Sequence, residues 1–212
     1  MELQMQRPIS SPIETVIEAF ARGEAVILLD HPEREGEADM ILAAQCATGA
    51  GVNALATIAR GLITVGVAAQ RLADLGIPMI EPANCRENYP HFAEPVDYTI
   101  GTTTGASAFD IATTARALTD ADARPEDFAR PGHLLPLAEN EAGLAGRAGH
   151  TEGAVALARL AGLYPASLIC EVLAPDGRMA SGETLRRVIE ENNLLVTTVQ
   201  YVADAVRATL QA

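Results

Sequence analysis

Tryptophan is absent from this 212-residue chain, and Phe and Tyr number only four each. So few flat rings leave little surface on which nucleic-acid bases could stack. Basic residues are scarce as well, 15 Lys and Arg against 28 Asp and Glu, for a formal net charge of −13. A surface of that sign does not neutralise a phosphate backbone, which argues against a nucleic-acid partner. Any anionic ligand must be held by a small local basic cluster working against the overall field. No apolar run is long enough to span a bilayer, and the N-terminal MELQMQRP lacks the apolar stretch of a signal peptide, so no membrane association is expected. Cys46, Cys85 and Cys170 are odd in number and far apart, with no C-x-x-C pair. They predict a reduced, cytoplasmic protein without a disulfide framework or a zinc knuckle. Also missing are G-x-x-x-x-G-K-[ST], H-E-x-x-H, G-x-S-x-G and a G-x-G-x-x-G after a strand, so nucleotide hydrolysis, zinc proteolysis and serine-hydrolase chemistry lack support.

What is present alternates between helix and strand signals. Ser11-Pro12-Ile13-Glu14 predicts a helix start with Ser11 as N-cap, Pro12 at the first position and Glu14 completing a capping box. Strands are expected at Ala25 to Leu29, after Met40, and from Leu62 to Ala68. Others are expected at Val96 to Ile100, at 133 to 137, at Ser167 to Ala174 and at Leu194 to Thr197. Helices fill the intervals, among them Val52 to Arg60 ended by Gly61, Ser107 to Leu118, and Thr151 to Ala161. Residues 77 to 95 carry four prolines and read as a long irregular loop, a length that is more often functional than idle. Apolar strands without clean two-residue alternation predict a sheet covered on both faces. The expectation is one α/β domain over residues 1–212, a central mixed sheet with helices on both faces.

Three stretches carry candidate chemistry. In HPEREGEADM, residues 31 to 40, Glu33, Glu35, Glu37 and Asp39 fall on every second position, with Asp30 just before. If extended, the four point to one side, where repulsion demands a compensating cation. Hard oxygens suit Mg²⁺ or Mn²⁺, and carboxylates also grip the hydroxyls of a polyol; a solvated acidic turn is the plain alternative. In GRAGHTEG, residues 146 to 153, Thr151 is expected to cap a helix whose N-terminus faces the loop. Arg147 can fork onto a phosphate, and Thr151 can donate its hydroxyl to it. His150 adjoins this geometry as a possible metal ligand or a structural histidine. Glu171 is the lone charge in SLICEVLA, so it is either ion-paired or poised as a general acid or base. His133 opens another apolar strand and could be its partner in proton transfer.

The chain resembles the 3,4-dihydroxy-2-butanone 4-phosphate synthase family over nearly its whole length. The resemblance rests on the acidic loop, TTG-x-SA-x-D at Thr103 to Asp110, RPGH at Arg130 to His133, GHTE at Gly149 to Glu152, and the strand bearing Glu171. It implies a carbon–carbon lyase of riboflavin biosynthesis, converting D-ribulose 5-phosphate to formate and a four-carbon ketone phosphate with Mg²⁺ or Mn²⁺. Glu35 and His150 match the metal ligands. Arg34, Glu35, Asp39, Arg147, Ala148, Gly149, His150, Thr151 and Glu171 match substrate contacts, while His133, Glu171, Glu37 and Asp30 match catalytic positions. Homodimers with sites near the subunit interface are also implied, and the fused GTP cyclohydrolase II domain that some relatives carry is not expected. The chain departs from the family pattern in several places, among them His31-Pro32 in place of a more acidic start to the loop and the region from Glu81 to Tyr98. The loop reads Arg34-Glu35-Gly36-Glu37-Ala38-Asp39, with its glycine moved; Thr64 replaces a cysteine; and Ile111 replaces an arginine. A paralogue acting on another sugar phosphate, or a silent ligand-binding homologue, are the alternative readings.

Overall fold

Asp30, Glu37 and Asp39 sit at the facing ends of two antiparallel apolar strands. The computed structural model describes residues 10–31, 36–84 and 89–211. Strand β1 (Val26–Leu29) runs antiparallel to β2 (Ala38–Ala43), and the Asp30 N–H donates to the Glu37 carbonyl at 3.1 Å, closing the turn between them. Glu33, Arg34 and Glu35 lie outside the described residues, as does Cys85. Gly36 has φ 65°, a conformation that favours glycine, and Ala38, at the family's glycine position, is a buried strand residue. The moved glycine therefore sits where positive φ is required.

Five more strands complete the sheet: β3 (Arg60–Val67), β4 (Val96–Tyr98), β5 (Phe128–Ala138), β6 (Ala166–Val172) and β7 (Leu195–Thr198). The order is β4-β5-β3-β6-β2-β1-β7. Pairs β3–β5 and β1–β7 are parallel and the others antiparallel, so the sheet is mixed as expected. Its helices are α1 (Ile13–Ala21), α2 (Gly49–Ala54), α3 (Ala69–Asp74), α4 (Ala108–Ala117), α5 (His150–Leu160), α6 (Gly182–Glu191) and α7 (Val199–Leu210).

Both faces of the sheet are covered, and the strand residues show how. Ile27 and Met40 join one apolar cluster, with Leu55, Leu72 and Ala115 from the α2, α3 and α4 side. Their neighbours Leu28 and Ile41 join the other, with Phe20, Leu157 and Val202 from α1, α5 and α7. Successive strand side chains point to opposite faces, so a strand buried on both sides is apolar throughout. Ile111, where the family carries an arginine, is half-buried and packs against the first cluster. The expected loop from 77 to 95 is pinned by single bridges, Met79 to Ala93 and Phe92 to Leu137.

Three local expectations are corrected. The N-cap of α1 is Pro12, without a side-chain cap, because the Ser11 hydroxyl instead accepts the Val196 N–H at 3.3 Å. At the end of α2 the chain passes through a π turn, Leu55–Ala59, and the left-handed residue is Arg60 at φ 74°, not Gly61. The N-cap of α5 is Gly149; Thr151 lies inside the first turn, 7% exposed, and does not cap it.

Cys170, on β6 between these layers, is fully buried, and burial pushes its thiol up to about 12, with the charges of Glu171 and Asp39 adding to the effect. Above the ordinary thiol range the unfolded chain holds fewer protons than the folded one, so stability falls as pH rises toward that value. Cys170→Ala is expected to flatten this part of the alkaline slope, measured by urea unfolding between pH 8 and 10.5. Equal slopes for the two proteins would contradict it.

Candidate active site

Register places two carboxylates face to face. Asp39 on β2 pairs with Glu171 on β6, so both side chains leave the same face of the sheet as cross-strand neighbours. Like charges directly opposite repel, and the surrounding groups answer that repulsion. The Leu62 N–H donates to Glu171 Oε2 at 3.0 Å, and His150 Nδ1 lies 3.5 Å from Asp39 Oδ2. Asp39 and His150 are only 4% and 8% exposed.

The approach of Leu62 to Glu171 depends on a bulge. The β3–β6 register shifts between Arg60 and Ile63, and Gly61 sits in the irregularity. A Cβ there would lie 2.4 Å from the Glu171 carbonyl oxygen and 2.7 Å from Oε2. Gly61 thus has a contact reason rather than a conformational one. It is a site residue that sequence reading took for a helix end.

The N-terminus of α5 closes the other side. Gly66 on β3 lets the helix come near, since a Cβ there would meet Thr151 Cγ2 at 3.3 Å and Val155 Cγ2 at 3.3 Å. Arg147 folds back over the first turn and donates to Glu152 Oε2 at 3.0 Å, while Glu152 Oε1 accepts the Asn140 N–H at 3.0 Å. Gly149 makes room for this fold, because a Cβ would stand 2.6 Å from Arg147 Nη1. Glu152, 1% exposed and unremarked in the sequence beyond its motif, holds the guanidinium. Farther along, Arg159 forks onto Glu139 and ties the preceding loop to the helix.

Glu37, Asp39, Thr64, Phe92, Arg147, His150, Thr151 and Glu171 line one cavity of about 110 Å³. Phe92 and Pro90 come from the proline-rich segment, and Thr64, 4% exposed, occupies the wall where the family has cysteine. Asp30 and Ala148 line a different cavity of about 130 Å³ with His31. His133 joins neither: half-exposed on β5, it pairs with Asp97 at 2.7 Å and does not touch Glu171. A larger groove, about 810 Å³ between α1 and α7, is lined by Ile17, Tyr201 and Asp204 among others, with no cation and none of the predicted residues. Chemistry, not size, picks out the small cavity.

Carboxylates beside an imidazole fit a hard or borderline divalent cation by donor type. Among the described residues, no group of three or more His, Cys, Asp or Glu is assembled to hold one. Glu35, the expected second ligand, lies outside them.

A mixed sheet wrapped by helices, with an acid-lined cavity walled by a helix N-terminus and an arginine, defines a layered α/β enzyme domain. The family model described as 3,4-dihydroxy-2-butanone 4-phosphate synthase matches residues 14–205. The chain is 47% identical over 188 residues to the protein of that name from Agrobacterium fabrum, covering 89% of this chain and 88% of that one. It is 40% identical to the riboflavin biosynthesis protein RibBA of Aquifex aeolicus, spanning 94% of this chain but 49% of that longer protein. A crystal structure of 3,4-dihydroxy-2-butanone 4-phosphate synthase in complex with two magnesium ions superposes with a TM-score of 0.87 at 34% identity, over 94% of this chain and 98% of that one. The chain belongs to the 3,4-dihydroxy-2-butanone 4-phosphate synthase family.

Gly61→Ala drives a methyl group into the Glu171 backbone and carboxylate. It is expected to destabilise the fold by about 1–3 kcal/mol, read from the urea midpoint. An unchanged midpoint would show that the strand moves aside freely.

Proposed function

We propose that this chain converts D-ribulose 5-phosphate to L-3,4-dihydroxy-2-butanone 4-phosphate and formate, the lyase step of riboflavin biosynthesis its family is named for. One observation carries the reading at the level of the site. Residues from three separate stretches, Glu37 and Asp39 in the acidic loop and β2, Arg147, His150 and Thr151 at the start of α5, and Glu171 on β6, converge on one small cavity.

The parts divide the work by chemistry. Arg147 and the Thr151 hydroxyl, at the N-terminal end of α5, take the phosphate, where the helix dipole favours negative charge. Arg147 is the local cation that a chain of net charge −13 needs. Glu37 and Asp39 accept hydrogen bonds from sugar hydroxyls. Glu171 is anchored through Oε2 by the Leu62 N–H, leaving Oε1 to take a proton from the substrate and return it. His133, which stands outside this cavity, is the second proton carrier, presented to the substrate across the subunit interface proposed below, and Asp30 supports the loop that bears Glu37. Arg34 and Glu35 complete the substrate contacts in this reading. His150 and Glu35 hold Mg²⁺ or Mn²⁺; such a cation supplies positive charge beside the sugar's oxygens, which favours loss of a proton next to the carbonyl. The magnesium-bound family structure supports a divalent cation.

The proposal includes a homodimer. Leu62, Ile100 and Phe109 are 56%, 58% and 73% exposed, large apolar groups that a partner subunit would cover, and Leu62 adjoins Glu171. Sedimentation is expected to give a dimer; a monomer at micromolar concentration would contradict this part.

Thr64 in the cavity wall is the observation favouring a related sugar phosphate instead. Carbon NMR separates the two. With labelled D-ribulose 5-phosphate and Mg²⁺ or Mn²⁺, formate and the four-carbon ketone phosphate are expected, abolished by chelator and reduced about 10²–10⁴-fold in Glu171→Gln. Intact substrate with folded protein would defeat the reading, and a product without formate would favour the paralogue.

A further inference from the structure

His133 is tied to a single side chain. Asp97, on β4, accepts the His133 backbone N–H through Oδ1 at 2.9 Å, and its Oδ2 lies 2.7 Å from the ring Nδ1. The Asp97 side chain is 16% exposed against 50% for His133, so the carboxylate is the sheltered member. Two glycines enclose it. A Cβ on Gly105 would stand 2.0 Å from Asp97 Oδ2, and one on Gly132 would stand 2.3 Å from the Asp97 nitrogen.

Gly105 is held in turn. Its N–H donates to Asp110 Oδ2 at 3.2 Å, and Asp110 also accepts the backbone N–H and hydroxyl of Thr103 at 3.0 and 2.7 Å. The Thr103 hydroxyl, ahead of the other donors, keeps the Asp110 carboxyl below its usual range. The TTG-x-SA-x-D and RPGH motifs therefore meet at one residue that belongs to neither. Asp97 lies in the strand Val96–Tyr98, a lone acid among apolar neighbours.

A carboxylate can only accept, so the nitrogen facing it carries the proton. The neutral ring is then the Nδ1–H tautomer, and its lone pair is on Nε2, which has no protein partner among the described residues. We propose that Asp97 is the positioning residue that fixes His133 in this tautomer, so that Nε2 is the atom that exchanges protons with the sugar phosphate. This rests on the reading of His133 as a proton carrier. In the step, Nε2 bonds the departing proton, the substrate keeps the electron pair, and the imidazolium so formed is stabilised by the Asp97 carboxylate until it returns the proton to the substrate. A histidine fixed only by its backbone would present either nitrogen; the pair with Asp97 selects one.

D97N tests this with little change of shape. The His133 backbone N–H needs an acceptor and holds the carboxamide oxygen, so the NH₂ group faces Nδ1 and can only donate. The ring must then switch to the Nε2–H tautomer. Nitrogen-15 NMR of histidine-labelled protein, at a pH where the ring is neutral, reads this directly, with the His133 signals assigned by their loss in His133→Gln. The expected result is Nδ1–H in the unaltered protein and Nε2–H in D97N. Formate release is expected to fall about 10²–10⁴-fold in kcat, with KM changed less than about threefold. An Nε2–H ring in the unaltered protein overturns the proposal, as does an inverted ring in D97N with kcat unchanged. A D97N that does not fold leaves the first of these to decide. Absence of formate from the unaltered protein would sink the synthase reading alone, because the tautomer measurement needs no turnover.

Discussion

Two carboxylates set opposite each other on neighbouring strands are the constraint around which this protein is arranged. Asp39 and Glu171 share a register position in the antiparallel β2–β6 pair, and repulsion at that spacing has to be offset by something built into the fold. The offset comes from three directions: a backbone N–H at the β3 bulge, the buried imidazole of His150, and the guanidinium of Arg147 across the cavity. Each is delivered by a different element. A sheet without the bulge at Gly61, or a helix one turn farther from β3, would leave the charges uncompensated.

That arrangement also accounts for the glycines near the site. Gly61, Gly66 and Gly149 have no positive φ; each is small because another group occupies the space a Cβ would need. They bring a carboxylate, a helix end and a guanidinium into one cavity whose volume is only about 110 Å³. Gly36 is different in kind, because there the backbone angle itself requires glycine, and this is why the family's acidic loop can move its glycine and still lead into β2.

The balance of like and unlike charge suits the chemistry proposed. A pocket that is acidic in its floor and cationic at one rim separates the two ends of a sugar phosphate by electrostatics alone: hydroxyls toward carboxylates, phosphate toward Arg147 and the end of α5. Membership in the synthase family, with 47% identity to the Agrobacterium fabrum protein over most of both chains, places that chemistry in a known reaction type. Leu62, exposed beside Glu171, is apolar surface that the proposed second subunit would cover.

Much of this was legible before any coordinates, and the reasons are local. Apolar runs bounded by glycine and proline gave the strand and helix positions, because burial and backbone preference act over a few residues. Glu171 stood out because a lone charge in an apolar strand is costly unless it is used or paired. The same logic applies to Asp97, yet its short strand offered too little apolar context to make the charge conspicuous. Gly61 carried no signal at all: following a helix, it imitated a C-terminal cap, while Arg60 took the left-handed angle. Ser11 and Thr151 looked like caps and were not, since the Ser11 hydroxyl found a strand N–H instead and Gly149 began α5 earlier. What the sequence alone determined is what depends on neighbours along the chain: element type, the apolar layers, the acidic character of the loop and the kind of group each motif offers. Which carboxylate faces which, which nitrogen of His133 is engaged and which glycines are needed for closeness were decided only by tertiary structure, because strand register and helix docking join residues far apart in the chain, 36 positions for Asp97 and His133 and 109 for Leu62 and Glu171, separations that no local pattern encodes.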